Sequence, residues 1–134
     1  MIYGIGNDVL EIRRIAAVLS RGAGNGFLQR ILTVSERDLA AARKGKAAEF
    51  AAGRFAAKEA VVKALGCGIG AAVGFQDIEI LPDSLGKPVV SLSAEAWGRL
   101  QLSAAQHIIH LTITHSGELA SAFAVVERVE QAEL

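Results

Sequence analysis

Three ionic side chains occur in a segment that otherwise has the composition of a protein core. The segment FAAKEAVVKALG, residues 55–66, is mainly Ala, Val, Leu and Phe, yet it contains Lys58, Glu59 and Lys63. A buried charge without a partner is costly, so each of these groups needs one. On a helix, Glu59 and Lys63 are four residues apart and therefore lie on one stripe.

Periodicity alone leaves two interpretations of this stripe open. In the first, Glu59 and Lys63 form an ion pair along the helix, which contributes only about 0.2–0.5 kcal/mol. In the second, the helix lines a cleft and presents both side chains to a charged ligand. The first gives little reason to interrupt an apolar helix, whereas the second predicts a functional site.

Asp8 is another acidic residue with two explanations. It follows the strand-like segment MIYGIGN, and Glu11 stands three residues further on. This spacing favours a helix N-cap at Asp8 with Glu11 as its capping-box partner. An N-cap does not explain Gly4 and Gly6, which share a strand face with Asp8 and allow another group to approach the backbone closely.

Together, Asp8, Glu59 and Lys63 have the donor types of a metal-assisted phosphate site. Mg²⁺ typically takes one or two protein carboxylates and completes its shell with water and substrate phosphates. A lysine beside it would neutralise charge on the phosphate or on the leaving group. One Cys and three scattered His provide no ligand spacing for metals that prefer thiolate or imidazole.

The elements that must position these residues follow from hydrophobic periodicity and from helix and turn signals. The first half predicts a strand over 2–9, a helix with Ile12, Ile15 and Leu19 on one face, a loop over 21–26, a helical turn over 27–32, a helix from an N-cap at Ser35 to Ala42, and a long helix over 47–65 that Gly66 ends. The second half predicts a loop over 67–74, strands over 75–81 and 89–92 around a turn, a helix from a cap at Ser93 to Leu100, and a hairpin of strands 108–114 and 119–127. Helices followed by a β-rich half predict the α+β class.

Composition limits the classes of function. A length of 134 residues predicts one domain over residues 1–134. Because 14 basic residues balance 14 acidic ones, we expect no binding to nucleic acid or to an anionic membrane. The single Cys67 and the lack of a signal-like or membrane-spanning segment predict a cytoplasmic protein. A hydrophobic content of 51% is high for a small monomer and predicts an oligomer.

Four motifs resemble those of one enzyme family in order and in spacing. They are GIGNDVLEIRRI (4–15), FAAKEAVVKALG (55–66), LGKP (85–88) and LTITHSGELASAFAVV (111–126). Essentially from end to end, the chain resembles the holo-[acyl-carrier-protein] synthases, which are the small single-domain 4′-phosphopantetheinyl transferases. One visible departure is Phe55, where many relatives have Trp.

The resemblance implies the fold of these transferases, in which a long central helix packs with a mostly antiparallel sheet. It implies transfer of 4′-phosphopantetheine from coenzyme A to a serine hydroxyl of apo-acyl carrier protein, a step of fatty acid biosynthesis that releases adenosine 3′,5′-bisphosphate. It also implies a homotrimer with the coenzyme site between neighbouring subunits, which agrees with the apolar composition.

Residue roles follow from the same resemblance. Asp8 and Glu59 become Mg²⁺ ligands, and Lys63 lies beside the pyrophosphate; the base is either Glu59 or a metal-bound water. The residues implied to hold the nucleotide part of coenzyme A are Arg54, Lys63, Gly66, Lys87, Pro88 and His115. The residues implied to meet the acidic recognition helix of the carrier protein are Arg13, Arg14 and Arg21.

Two rival functions fit part of the same pattern. A Mg²⁺-dependent nucleotide phosphodiesterase or pyrophosphatase would use the carboxylates and Lys63, although hydrolases of this kind normally have a more carboxylate-rich metal site. A non-catalytic trimeric adaptor would need Glu59 and Lys63 only as an internal ion pair.

Overall fold

A 19-residue helix lies across one face of a three-stranded antiparallel sheet in the computed structural model of the chain, which describes residues 1–22 and 24–130. The elements are β1 Ile2–Glu11, α1 Ile12–Ser20, α2 Gly24–Ile31, α3 Val34–Ala41, α4 Ala47–Leu65, β2 Ile78–Pro82, β3 Pro88–Leu92, α5 Ala94–Leu100, β4 His107–His115 and β5 Leu119–Arg128. The strand order is β1-β5-β4, and β2 and β3 form a separate antiparallel pair. The expected α+β class is therefore confirmed.

Small residues allow α4 to approach the sheet closely. The buried residues of β5 beneath the helix are Ala120, Ala122, Ala124 and Val126. On β1, a Cβ atom at Gly4 would lie 1.9 Å from the carbonyl oxygen of Ala64, and one at Gly6 would lie 2.0 Å from that of Ala60. The group that approaches the glycine face of β1 is therefore the backbone of α4.

The opposite face of the sheet, called the outer face below, is exposed and partly apolar. Side chains alternate between the two faces of a strand. Phe123 of β5, which pairs with Asn7 of β1 and with Thr112 of β4, therefore points away from α4. Four large apolar side chains of this face are 44–59% exposed, namely Ile5, Val9, Ile108 and Phe123. Several exposed apolar side chains on one face of a sheet are typical of a region that another chain covers.

Lys58 is fully buried, and its partners all belong to the protein. Its ammonium group donates hydrogen bonds to Glu36 Oε1 at 2.7 Å, to the Ile31 carbonyl at 2.7 Å and to the Phe75 carbonyl at 2.9 Å. The other oxygen of Glu36 accepts from the Ile80 amide at 2.9 Å. This network ties α4 to α2, α3 and β2, so one of the three charges on the helix has a structural explanation without a ligand.

The structure corrects the predicted role of Asp8. β1 continues to Glu11, so Asp8 lies inside a strand and is not an N-cap. The N-cap of α1 is Glu11 itself, and it makes no side-chain capping bond. The sequence-based N-cap hypothesis is wrong because the alternation of β1 extends two residues beyond Val9.

Other boundaries also differ from the predictions. The N-cap of α3 is Thr33, which forms a capping box with Glu36, so Ser35 is not the cap. α2 begins at Gly24, within the predicted loop over 21–26; Ala23 of that loop lies outside the described residues. β2 begins at Ile78 because residues 75–77 form a 3₁₀ turn.

Several other predicted helix and strand features are confirmed. α4 spans Ala47–Leu65 and ends at Gly66, which has the left-handed φ of 84° that glycine accepts without strain. Ser93 caps α5 by accepting from the Ala96 amide, and β4 and β5 form the predicted hairpin. Within the described ranges, no helix combines the length and the apolar character that crossing a membrane requires.

Candidate active site

Lys63 on α4 reaches the carboxylate of Asp8 on β1. Its Nζ atom lies 3.3 Å from Asp8 Oδ1 and donates a 3.0 Å hydrogen bond to the main-chain oxygen of Asn7. The two side chains are 52% and 20% exposed, so solvent or a ligand can reach the pair. In the described structure the ionic partner of Lys63 is Asp8, and the ion pair with Glu59 along the helix is not formed.

Glu59 lies one helical turn before Lys63, and the charges of both Asp8 and Lys63 act on its carboxyl group. Burial raises the pKa of the Glu59 carboxyl, the negative charge of Asp8 raises the pKa further, and Lys63 lowers it. The influence of Asp8 means that these two carboxylates, from distant parts of the sequence, lie near enough for the charge of one to affect the other. A cation between them would relieve their mutual repulsion.

The two carboxylates of this group, called the carboxylate cluster below (Asp8 and Glu59, with Lys63 beside them), are oxygen donors of the kind that a hard divalent cation takes. Among the residues that the structure describes, no set of three or more His, Cys, Asp or Glu side chains is placed to hold a metal. Any ion bound by Asp8 and Glu59 would therefore take its other ligands from water or from phosphate oxygens. Mg²⁺ has this coordination habit, whereas structural zinc sites have four protein ligands.

A second group of predicted residues lines a cavity of about 180 Å³, called the basic pocket below. Arg54, Pro88 and His115, three of the residues implied to hold the nucleotide, meet there. The charged residues of the pocket that sequence reasoning missed are Arg43, Lys46 and Glu49. Three of the four charged side chains are thus cationic, which favours an anionic ligand.

The N-terminus of α4 adds to this positive character. Lys46 is the N-cap of α4 and makes no side-chain capping bond, so the first amide groups of the helix are not satisfied by a cap. Such a helix end attracts anions. In the sequence, RKGK (residues 43–46) is a polar break between helices; a basic run directly before a long helix is the signal that identifies these cations.

Arg54 is held in place by contacts from two directions. Its Nε donates to the Ile80 carbonyl at 3.2 Å, and its guanidinium lies 4.5 Å from the ring centre of Phe50. Burial lowers the pKa of Arg54, the charge of Glu36 opposes this effect, and Arg43 lowers the pKa further. A rigid, nearly buried guanidinium is suited to hold a phosphate or another planar anion.

Gly66 and Lys87 are not among the residues that line the basic pocket. Gly66 is the left-handed C-cap of α4, and Lys87 is exposed in the turn between β2 and β3. The backbone amide of Lys87 donates to Asp83 Oδ1 at 2.9 Å, so this position has a role in the turn itself. A contact between Lys87 and a ligand would be made by its long side chain, either within its own subunit or across to the site of a neighbouring one.

The three predicted carrier-binding arginines are exposed at α1. Arg13 and Arg14 lie on its outward face, where Arg13 pairs with Glu11 at 2.5 Å, and Arg21 is the C-cap of the helix. Their guanidinium groups are accessible to a partner, as the periodicity of α1 predicted.

The carboxylate cluster and the basic pocket lie toward opposite edges of the sheet. Asp8 belongs to β1, Ile113 and His115 of the pocket belong to β4, and β5 separates these two edge strands. Asp8 and Ile113 both pair with Ala122, so two strand spacings, about 10 Å, separate them.

Comparison with known proteins gives a consistent result. Residues 4–124 match the profile of the 4′-phosphopantetheinyl transferase superfamily. A holo-[acyl-carrier-protein] synthase of Bacillus cytotoxicus is 50% identical over 128 residues, which cover 95% of this chain and 97% of that protein.

Two solved structures extend the similarity to the fold. The crystal structure of a holo-(acyl-carrier-protein) synthase from Bacillus anthracis in complex with CoA (3′,5′-ADP) has a TM-score of 0.80 and 46% identity, and the match covers 96% of this chain and 98% of that one. The enzyme from Neisseria meningitidis has a TM-score of 0.85 and 37% identity, with 96% and 100% covered.

Proposed function

This chain belongs to the 4′-phosphopantetheinyl transferase superfamily, and from that premise we propose how its residues carry out the reaction. The chain transfers the 4′-phosphopantetheine moiety of coenzyme A to a serine hydroxyl of apo-acyl carrier protein, with adenosine 3′,5′-bisphosphate as the other product. The observation that carries this function is the 50% identity, over 95% of the chain, to a holo-[acyl-carrier-protein] synthase.

We propose that Asp8 and Glu59 hold Mg²⁺. The support is the electrostatic influence of the Asp8 carboxylate on Glu59, together with the further ligands that coenzyme phosphates could supply. When bound, the ion would neutralise charge on the pyrophosphate and polarise the phosphorus under attack.

The protein side chains then have distinct tasks. Glu59, directly or through a metal-bound water that it would hold, accepts the proton of the carrier serine. Lys63 is drawn from Asp8 toward the departing bisphosphate and stabilises its developing charge. The basic pocket, with Arg54, Pro88 and His115, holds the nucleotide part. Gly66 and Lys87 remain proposed coenzyme contacts.

We propose that the active form is a homotrimer with the coenzyme site between neighbours. The carboxylate cluster and the basic pocket lie toward opposite edges of one sheet, so a head-to-tail ring would bring one edge of a subunit beside the other edge of the next. The apolar outer face provides surface for such contacts. We also propose that residues 1–134 form one domain and that the enzyme acts in the cytoplasm; residues 131–134 lie outside the described residues.

We propose that Arg13, Arg14 and Arg21 dock the acidic recognition helix of the carrier protein. The support for this role is that all three side chains are exposed on α1 or at its C-cap. This helix directly follows β1, the strand that carries Asp8. Charges at the rim of an interface direct association and orientation more than they add affinity.

Mass spectrometry of an apo-acyl carrier protein after incubation with this chain, coenzyme A and Mg²⁺ tests the function. We expect the mass of one phosphopantetheine group on the carrier. Asp8→Ala and Glu59→Ala should abolish the adduct while the chain stays folded and keeps its assembly state by sedimentation; full transfer by both variants would refute their roles. Release of adenosine bisphosphate from coenzyme A without any carrier would instead support a hydrolase, and an inactive wild type would support an adaptor.

A further inference from the structure

We propose that Glu49 is a positioning residue that holds His115 toward the bound nucleotide of coenzyme A. This inference rests on the proposed use of the basic pocket for that nucleotide. Neither the sequence motifs nor the pattern of charges along α4 pointed to Glu49, because it occupies the first turn of the helix, where acidic residues are common.

A carboxylate in the basic pocket requires an explanation. Arg43, Lys46 and Arg54 surround a space that we assign to an anion, and Glu49 lines the same space. The negative charge of Glu49 repels a phosphate bound in that space. Glu49 must therefore perform a task that offsets this repulsion, or its own charge must be neutralised by a neighbour.

His115 is that neighbour. Its Nδ1 lies 2.8 Å from Glu49 Oε1, and both side chains are partly exposed, at 41% and 36%. At this distance a carboxylate repels a bare ring nitrogen and attracts one that carries a hydrogen, so the contact favours the tautomer with the hydrogen on Nδ1. Nε2 is then the ring nitrogen that remains for a ligand.

The pair links the end of β4 to the first turn of α4. His115 is the last residue of β4 and is followed by the turn to β5, whereas Glu49 is fixed on α4. A half-exposed side chain at a strand end samples several rotamers, and a partner on a rigid helix selects one of them. Fixing the imidazole before the ligand arrives lowers the entropic cost of binding.

A simpler explanation is that Glu49 only stabilises the N-terminus of α4 through the helix dipole. That role makes two different predictions: removal of Glu49 would lower the stability of the chain, and it would leave nucleotide binding unchanged. It also would not depend on whether His115 is present.

The test is a double-mutant cycle of Glu49→Ala and His115→Ala, with Glu49→Gln as the conservative variant. The readouts are KM for coenzyme A, kcat, KM for the carrier, and the Kd of adenosine 3′,5′-bisphosphate by calorimetry. We expect Glu49→Ala to raise KM for coenzyme A and the Kd about three- to tenfold, with kcat and KM for the carrier nearly unchanged. Glu49→Gln, which keeps an acceptor for Nδ1–H, should restore most of the loss.

The coupling between the two substitutions distinguishes a role through His115 from an independent role of Glu49. If Glu49 acts through His115, the double variant binds no more weakly than His115→Ala alone. Additive losses, an unchanged Kd in Glu49→Ala, or a lower Kd after removal of the negative charge would each overturn the inference. Glu95→Ala removes an exposed carboxylate of α5 and is the matched control, expected to have no effect on the Kd.

Failure of the inference is distinguishable from failure of the proposed function. The calorimetric Kd needs no transfer reaction, so it reports on Glu49 even if the carrier assay gives no product. If His115→Ala leaves the Kd unchanged, His115 does not face the nucleotide and the inference falls, while transfer by the wild type would still establish the function.

Discussion

Asp77 shows how one carboxylate joins separate elements. Its Oδ1 accepts from Ser93 Oγ at 2.6 Å, and its Oδ2 accepts from the Gly74 amide at 2.8 Å and from Arg99 at 2.9 Å. Burial raises the pKa of Asp77, but these hydrogen bonds outweigh burial and leave the pKa below its ordinary value. Its ionised form is therefore bound more favourably in the folded state than in the unfolded chain.

This residue gives a prediction for the pH dependence of stability. Because the folded pKa is depressed, the contribution of Asp77 is present above the unfolded value of about 3.9 and is lost as the pH falls through the folded value. We expect Asp77→Asn to lower the free energy of unfolding by about 1–3 kcal/mol at neutral pH, and the difference to shrink below about pH 4. Urea denaturation over that range measures it.

An equal loss at all pH values would contradict this account. Asp38→Asn is the matched control, since Asp38 is exposed in the middle of α3. We expect its effect on the free energy of unfolding to stay small throughout.

Arg14 gives a prediction for substrate discrimination. Its side chain is exposed on α1 and is proposed to contact only the protein substrate. Arg14→Ala should therefore raise KM for the carrier about two- to fivefold and leave KM for coenzyme A unchanged. Arg14→Glu should raise it further, because repulsion is added to the lost contact. Steady-state kinetics with each substrate varied in turn measure both KM values. An equal rise in KM for the carrier and for coenzyme A would refute the placement of Arg14 at the carrier interface.

At the scale of elements, the site depends on how closely α4 approaches β1. Gly6 lies on the inner face of β1, two residues from Asp8, and the backbone of α4 passes over it. This contact places the helix face with Glu59 and Lys63 beside the carboxylate of Asp8. The glycines of β1 therefore help to position the carboxylate cluster.

Gly6→Ala tests this dependence. The new Cβ would lie 2.0 Å from the Ala60 carbonyl oxygen and 2.7 Å from the Ala64 amide, and backbone atoms cannot rotate away. We expect a loss of about 1–3 kcal/mol in the free energy of unfolding and a larger relative loss of kcat than of affinity for adenosine 3′,5′-bisphosphate. Chemical denaturation and calorimetry give the two values.

Gly98→Ala is the control for this substitution. Gly98 is inside α5, and a methyl group added there would meet no heavy atom of the described residues within 4 Å beyond its own local backbone. This position should tolerate alanine or gain up to about 1 kcal/mol from its helix propensity. If Gly6→Ala behaved in the same way, α4 would not depend on the glycine face of β1.

At the scale of the whole molecule, the proposed trimer would explain both the exposed outer face and the separation of the carboxylate cluster from the basic pocket. Phe123 is 44% exposed at the centre of the sheet, between Asn7 and Thr112. A subunit interface that covers this surface and joins the carboxylate cluster of one chain to the basic pocket of another would make assembly a condition of activity.

Phe123→Asp should therefore dissociate the assembly and abolish transfer while the isolated chain keeps its helices and strands. Sedimentation, circular dichroism and the carrier assay measure the three effects. Val34→Asp removes an exposed apolar side chain at the start of α3, off the outer face, and should leave the assembly intact. A monomeric but fully active Phe123→Asp variant would refute the composite site.

Local signals in the sequence determined most of the elements. The bounds of α4, its end at Gly66, the Ser93 cap and the β4–β5 hairpin depend on residues a few positions apart, and their predictions are confirmed. The predicted caps at Asp8 and Ser35 are wrong because a sequence can contain several capping patterns, and packing selects among them.

Tertiary structure decided which charges meet. The sequence required partners for Lys58, Glu59 and Lys63, but it could not show that Glu36 satisfies Lys58 or that Lys63 turns to Asp8 and not to Glu59. Those contacts join residues 22 and 55 positions apart. Pairings over such distances depend on how closely α4 settles on the sheet, which is a property of the packed small residues and not of any local pattern.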